Sequence, residues 1–262
     1  MLSYQKKAHQ VLNYYGSKRR AAFKYCRPTK KTIIEPFAGG ACYSLRYHWH
    51  DVVLYDLYSE VCSVWDYVIN ANPSEIRSLP LLKPGESVDD LSIHQEAKLL
   101  IGYWLGVSVT SSHKKLTPWQ ERKLNTTNAN VWSLRRRELV AQTSELVKHW
   151  KIHQRSYIDV DNMDASWFID PPYQCNAGRA YKHNKIDYNH LADWCKSRTG
   201  QVQVCENSNS QSWLPFTDLY TNVGQQYKTT EVIWRNYDIK GESHDDTIEH
   251  PTFDFGESLR SE

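Results

Sequence analysis

The chain contains no run of apolar residues near the roughly 18 that a membrane-spanning helix requires. It also lacks a large charge excess: 32 basic residues against 30 acidic ones leave a net charge of +2, with a pI of about 8.1. The first absence argues against a helical span. The second means that bulk attraction cannot hold a nucleic acid, so any such contact must come from local clusters of Lys and Arg. Met1 to Lys7 has no apolar core behind its charges and does not read as a secretory signal. The six cysteines (Cys26, Cys42, Cys62, Cys175, Cys195 and Cys205) include no Cys-x-x-Cys pair. They are expected to be reduced thiols, neither zinc ligands nor a disulfide framework, which places the protein in the cytoplasm. The 11 histidines include no His-Glu-x-x-His, and no Gly-x-Ser-x-Gly is present. Metal catalysis and a hydrolase nucleophile therefore have no support. Gly-x-Gly-x-x-Gly and the P-loop pattern are missing too, which disfavours a dinucleotide or a nucleoside triphosphate as the ligand.

What is present is an ordinary soluble balance, 40% hydrophobic and 24% charged. The length of 262 residues suits one large α/β domain, or one domain with a sizeable insertion. The 10 Trp and 17 Tyr suit stacking on flat ligands, although most are expected in the core.

The stretch that organises the chain is Asp170-Pro171-Pro172-Tyr173, which follows the apolar run Trp167-Phe168-Ile169. A short β-branched and aromatic run reads as a buried strand. The prolines end it, because proline has no N–H for a ladder and holds the preceding residue extended. An acid, two carbonyls and an aromatic ring thus emerge together at the carboxyl end of a strand, the edge at which open α/β sheets bind ligands. Upstream, Thr32 to Phe37 reads as a second buried strand running into Ala38-Gly39-Gly40-Ala41 and a helix from Tyr43. Small residues at that turn let the backbone approach a ligand closely. Asp51 to Asp56 is a third strand, followed by a helix from Leu57 to Ile69. Asp56 lies about 20 residues past the start of the glycine turn, where a strand-end carboxylate can take both hydrogens of a ribose diol or cap the next helix. Near the start, Tyr15-Gly16-Ser17-Lys18 offers a tight turn and a cation.

From about Asn70 to Arg155 the α/β rhythm stops. Residues 94–106 have helical spacing, and Lys114, Lys115, Arg122, Lys123, Arg135, Arg136 and Arg137 cluster with few acids between them. This reads as an inserted lobe with a positive face suited to phosphate contact; the ordinary alternative is a solvated helical face. The sheet is expected to resume with a strand at 156–160, followed by 166–170, a helix at 187–198, a strand at 201–207 and a closing pair at 216–221 and 231–236. The polar loop from Gln174 to Lys185 is a candidate lid, and its Arg179 joins the basic residues expected to contact DNA. Domain limits follow: 1–69 with 156–240 as the catalytic unit, 70–155 as the inserted lobe, and 241–262 as a loosely ordered acidic tail.

Taken in order, Tyr15-Gly16-Ser17-Lys18, Glu35-Pro36-Phe37-Ala38-Gly39-Gly40, the strand-end Asp56 and Asp170-Pro171-Pro172-Tyr173 resemble the Dam-like class of DNA adenine-N6 methyltransferases, including small forms encoded by phages. The resemblance runs from about Leu12 to Asn236. It is weakest in the inserted segment and absent in the tail. It implies an α/β fold with the seven-stranded, Rossmann-like methyltransferase sheet and a mostly helical target-recognition lobe. It also implies S-adenosyl-L-methionine as cofactor, double-stranded DNA as partner, no metal, and the cytoplasm of a bacterium or a phage-infected host. Whether a restriction nuclease accompanies it is not written in the sequence. Carried over by position, Tyr15, Gly16 and Lys18 close over the cofactor. Pro36, Phe37, Ala38 and Gly39 pass under its methionine part, and Asp56 holds the ribose hydroxyls. The acid near the cofactor adenine falls at Asp159 or Asp161. Ala41 stands where some members have glycine.

The chemistry fits these residues. The exocyclic amine of adenine is a poor nucleophile because its lone pair is delocalised into the ring. Asp170 and the Pro171 carbonyl can accept its two hydrogens, which favours a pyramidal nitrogen over the planar amine. Tyr173 is expected to stack on the base, and the target must leave the duplex to reach such a pocket. Cytosine N4 or adenine in RNA would need nearly the same pocket, with Asp at position 170 leaning towards adenine. The intact Asp170 and Tyr173 argue against a silent DNA-binding relative.

Overall fold

Two neighbouring isoleucines show how the molecule is layered. Ile33 joins one apolar cluster and Ile34 the other, because successive strand residues point to opposite faces of a sheet. Phe168 divides from Trp167 and Ile169 in the same way, and Cys205 from Val202 and Val204. A strand covered on both faces favours a continuous apolar run, as at Trp167-Phe168-Ile169, whereas Val202 and Val204 alternate with the buried Gln201 and Gln203. The computed structural model describes residues 9–106, 110–122, 131–210, 212–223 and 228–238.

The strands are β1 (Thr32–Glu35), β2 (Asp51–Asp56), β3 (Lys151–Gln154), β4 (Ala165–Ile169), β5 (Gly200–Asn207), β6 (Thr217–Val223) and β7 (Lys228–Arg235). They form one seven-stranded sheet in the order β3-β2-β1-β4-β5-β7-β6. β1 to β5 run parallel, and β7 lies antiparallel between β5 and β6. This is the Rossmann-like sheet that the resemblance implied. The strand order reverses between β1 and β4, and a crevice opens at their carboxyl ends.

The helices are α1 (Cys42–Arg46), α2 (Ser59–Asn70), α3 (Pro73–Ser78), α4 (Gln95–Gly102), α5 (Pro118–Glu121), α6 (Leu134–Leu146) and α7 (Tyr188–Lys196). Their starts are chemically marked. Asn72 caps α3 ahead of Pro73, Ser133 accepts from the Arg136 amide, and Asp187 accepts from the Asn189 and His190 amides at 3.0 and 3.1 Å. α7 covers one face of the sheet through Leu191, Ala192, Trp194 and Cys195. On the other face α2 buries Val61, Val64, Trp65 and Val68. Trp65 has no accessible surface, and truncating such a side chain to alanine costs about 3–5 kcal/mol. Residues from α3, α4 and α6, among them Ile76, Leu100, Ile101 and Val140, join that same cluster.

Two expectations need correction. The strand expected at 156–160 is a 3-10 turn at Tyr157–Asp159, opened by Ser156. The strand at this point is β3, a few residues earlier, pairing with β2 from Val53–Lys151 to Asp56–Gln154. The segment expected as an insertion therefore ends inside the sheet. The tail at 241–262 and Lys123 lie outside the described residues.

Candidate functional site

The turn after β1 is built by backbone. The Ala38 amide donates to the Tyr55 carbonyl at 2.8 Å, which ties the turn to β2. Gly39 has a φ of +43°, and a Cβ there would sit 3.1 Å from the Tyr14 ring. Ala41 also has a positive φ, +44°, a conformation that glycine adopts without strain. Asp56, at the end of β2, accepts from the Gly39 amide at 3.0 Å and from the Tyr58 amide at 2.8 Å. The carboxylate therefore fastens the glycine turn and starts α2. Its burial raises its pKa, and each oxygen keeps a second lone pair for a ligand.

Asp170 emerges from β4 into a charge cluster. Its Oδ1 lies 2.8 Å from the Lys18 ammonium, which also donates to the Tyr173 hydroxyl at 2.6 Å. Tyr173 donates onward to Glu231 Oε1 at 2.5 Å, and Tyr25 donates to the same oxygen at 2.8 Å. Burial pushes Asp170 up to about 6 against the pull of Lys18. Lys18 is held well above the usual ammonium range by Asp170 and Glu231, which outweigh its desolvation. Behind the Pro-Pro turn, Tyr188 donates to the Pro172 carbonyl at 2.6 Å, and Glu206 on β5 accepts from the Gln174 amide at 3.2 Å.

Between these two constructions lies a cavity of about 620 Å³, within the range of small-molecule sites. Its walls come from Tyr14 to Lys18, Glu35 to Cys42, Asp56 to Tyr58, Ser156 to Ile158, Asp170 and Pro172. The expected lid loop covers it with Tyr181, Lys182 and His183. The Tyr181 hydroxyl donates to the Tyr15 carbonyl at 3.2 Å, while Lys182 and His183 lie against the Tyr58 ring. Gly16 suits this place, because its φ of +71° strains other residues and a Cβ would fall 2.0 Å from the Tyr181 oxygen.

Tyr15, Gly16, Lys18, Pro36, Phe37, Ala38, Gly39, Asp56, Asp170 and Pro172 are thus brought together around one cavity. Pro171 and Tyr173 do not line it; Tyr173 turns its hydroxyl into the charge cluster. Asp159 and Asp161 are exposed and away from the wall, which Ser156, Tyr157 and Ile158 supply instead. The basic residues expected on one positive face have divided roles. Lys115, Arg122, Arg135 and Arg179 are exposed, and Lys114 pairs with Asp89 at 2.6 Å. Arg136 instead lies 3.9 Å over the buried Trp104 ring, and desolvation lowers it to about 10. Arg137 donates to the Leu79 carbonyl at 2.5 Å. These two hold the fold.

Sequence reasoning missed three contributors. Tyr181 was only a residue of a polar loop. Glu231 belonged to a strand with no motif. Glu35 was read as part of a strand, yet it is a buried carboxyl on the cavity wall, accepting from the Ser44 amide at 2.9 Å and pushed by burial up to about 8.

No family model matches the chain, and no curated protein aligns with it. Among solved structures it is similar to an rRNA methyltransferase, AviRa, from Streptomyces viridochromogenes. The two share 12% identity over 82% of this chain and 80% of that one, with a TM-score of 0.38. A likeness that distant carries no argument about chemistry, so the functional reading rests on the site.

Proposed function

We propose that the protein is a methyltransferase that uses S-adenosyl-L-methionine to methylate N6 of a flipped-out adenine in double-stranded DNA. One observation carries this reading: Asp170 and the glycine turn fastened by Asp56 line a single cavity at the β1/β4 switch. The residues fit the cofactor. The turn after β1 presents backbone to the cavity, and Asp56 offers a buried, fixed carboxylate to a diol. Tyr157 and Ile158 provide apolar wall for an adenine ring. The cofactor supplies an electrophilic methyl on a sulfonium.

The remaining requirements fall on the protein. Asp170 accepts a hydrogen of the target amine and is the nearest base for the proton that nitrogen must lose. Tyr188 and Glu206 hold the turn that carries it, so positioning supplies much of the rate. Tyr181, Lys182 and His183 exclude water above the cavity. Among the described residues expected to contact DNA, Lys115, Arg122, Arg135 and Arg179 are exposed and would meet phosphates of the duplex. Calorimetry tests the cofactor half of the reading. S-adenosyl-L-methionine is expected to bind one-to-one, with affinity at least 10-fold weaker in Asp56→Ala. Absence of binding by the wild-type protein would remove the proposal.

A further inference from the structure

β7 runs against β5, so its first residues lie beside the carboxyl end of the parallel strands. Glu231 sits opposite Asn207 on β5 and Tyr220 on β6. It shares a sheet face with Ile233, and that face also carries Cys205. Strand order alone therefore delivers Glu231 to Asp170, from about 60 residues away in sequence.

The cluster contains one ammonium and two carboxylates. Lys18 Nζ is 2.8 Å from Asp170 and 3.4 Å from Glu231, and all three side chains are 20% exposed or less. With Lys18 alone, Asp170 would belong to a neutral pair and its charge would be spent. Glu231 leaves one negative charge over, in a place shielded from water. The target nitrogen becomes positively charged as it takes the methyl, so this surplus has the sign that the transition state requires. Glu231 Oε1 also takes the hydroxyl hydrogens of Tyr173 and Tyr25. Asp170, Cys205 and Glu231 bring their ligand atoms within 4.8 Å of one another, but the Lys18 ammonium already bridges the two carboxylates. The cluster thus carries its own cation.

We propose that Glu231 is a positioning residue for methyl transfer: it shares the Lys18 ammonium and ties down the Tyr173 hydroxyl, so that Lys18 does not cancel both carboxylates and a net negative charge faces the amine. This rests on the methyl-transfer reading. The other ionisable groups near Asp170 include Tyr25, Tyr173, Tyr181, Tyr220, Cys42, Cys205 and Glu35. Burial raises all of them towards their neutral forms, which leaves Lys18 and Glu231 as the charged neighbours.

Glu231→Gln is expected to lower kcat about 10- to 100-fold, with affinities for S-adenosyl-L-methionine and duplex DNA within about 3-fold of wild type. Glu231→Asp, which keeps the charge, is expected to recover part of the loss. In parallel, the Asp170 carboxyl is followed by ¹³C NMR in the free protein, its signal assigned by its loss in Asp170→Asn. The wild-type midpoint is expected near 6, and it should fall in Glu231→Gln because a negative neighbour has gone. An unchanged midpoint, or an unchanged kcat in a Glu231→Gln protein that binds both ligands, would overturn the proposal. If wild-type protein transfers no methyl at all, the functional reading fails, while the titration still decides whether Glu231 sets the charge on Asp170.

Discussion

At the carboxyl edge of β1, β2 and β4, ionisable side chains are buried and share partners. Lys18 is 9% exposed and meets Asp170, Glu231 and Tyr173 together. In the largely helical region between β2 and β3, Arg136 and Arg137 apart, the ion pairs stay in water. Arg77, 38% exposed, holds Glu138 and Glu145 at 2.9 Å, and Lys114, 72% exposed, holds Asp89. The two regions use the same residue types at different energies. Breaking a buried pair leaves an uncompensated charge at a cost of about 3–5 kcal/mol, whereas an exposed pair is worth about 0–1 kcal/mol. Substitutions among the strand-end charges should therefore cost far more than substitutions in the exposed pairs.

The largest expected effect comes from the strand edge. Asp170→Ala should reduce methyl transfer more than about 10³-fold while the dissociation constant for the cofactor moves only a few-fold. Retained transfer would show that the acceptor lies elsewhere. In the wild-type protein kcat/KM should fall as the pH drops through about 6, where Asp170 of the free protein takes a proton.

Next is Glu35, whose folded pKa of about 8 lies above its ordinary value of 4.5. The folded state then binds more protons than the unfolded chain between those values, so wild-type stability falls as pH rises from about 4.5 to 8. Glu35→Gln removes that slope. Its stability relative to wild type should rise by a few kcal/mol, to order of magnitude, between pH 5 and pH 8 in denaturant melts. Parallel curves for the two proteins would place Glu35 in a better solvated setting.

The helical region should answer to salt. Replacing Lys115, Arg122 and Arg135 together by glutamine is expected to leave stability within about 0.5 kcal/mol. The slope of log affinity for duplex DNA against log salt should become shallower by about 2 to 3. Arg136→Gln or Arg137→Gln should do the reverse, loosening the fold with little change in slope. The smallest effect is Arg77→Ala, about 1 kcal/mol or less in a thermal melt despite three short hydrogen bonds.

How much of this was legible follows from what fixes each side chain. Asp56 and Asp170 end apolar runs, and a residue at the end of a buried parallel strand has its place set by the sheet. Arg135, Arg136 and Arg137 are consecutive on α6, where successive residues turn by about 100°. They fan around the helix and cannot all face one phosphate backbone, so the run of basic letters overstated the positive face. β3 escaped notice because Lys-Ile-His-Gln at the sheet edge buries little and shows no apolar run. Glu231 was illegible for a different reason: nothing local records that β7 inserts between β5 and β6.

The central claim is that the cavity at the β1/β4 switch directs a methyl group onto an amine held by Asp170. The most direct test is incubation of the wild-type protein with methyl-labelled S-adenosyl-L-methionine and, in parallel, duplex DNA or RNA, followed by nucleoside analysis. The account predicts label in N6-methyladenine. Label in N4-methylcytosine, or in RNA alone, would contradict the assigned substrate. No label in any nucleoside, from protein that binds the cofactor, would contradict the assigned chemistry.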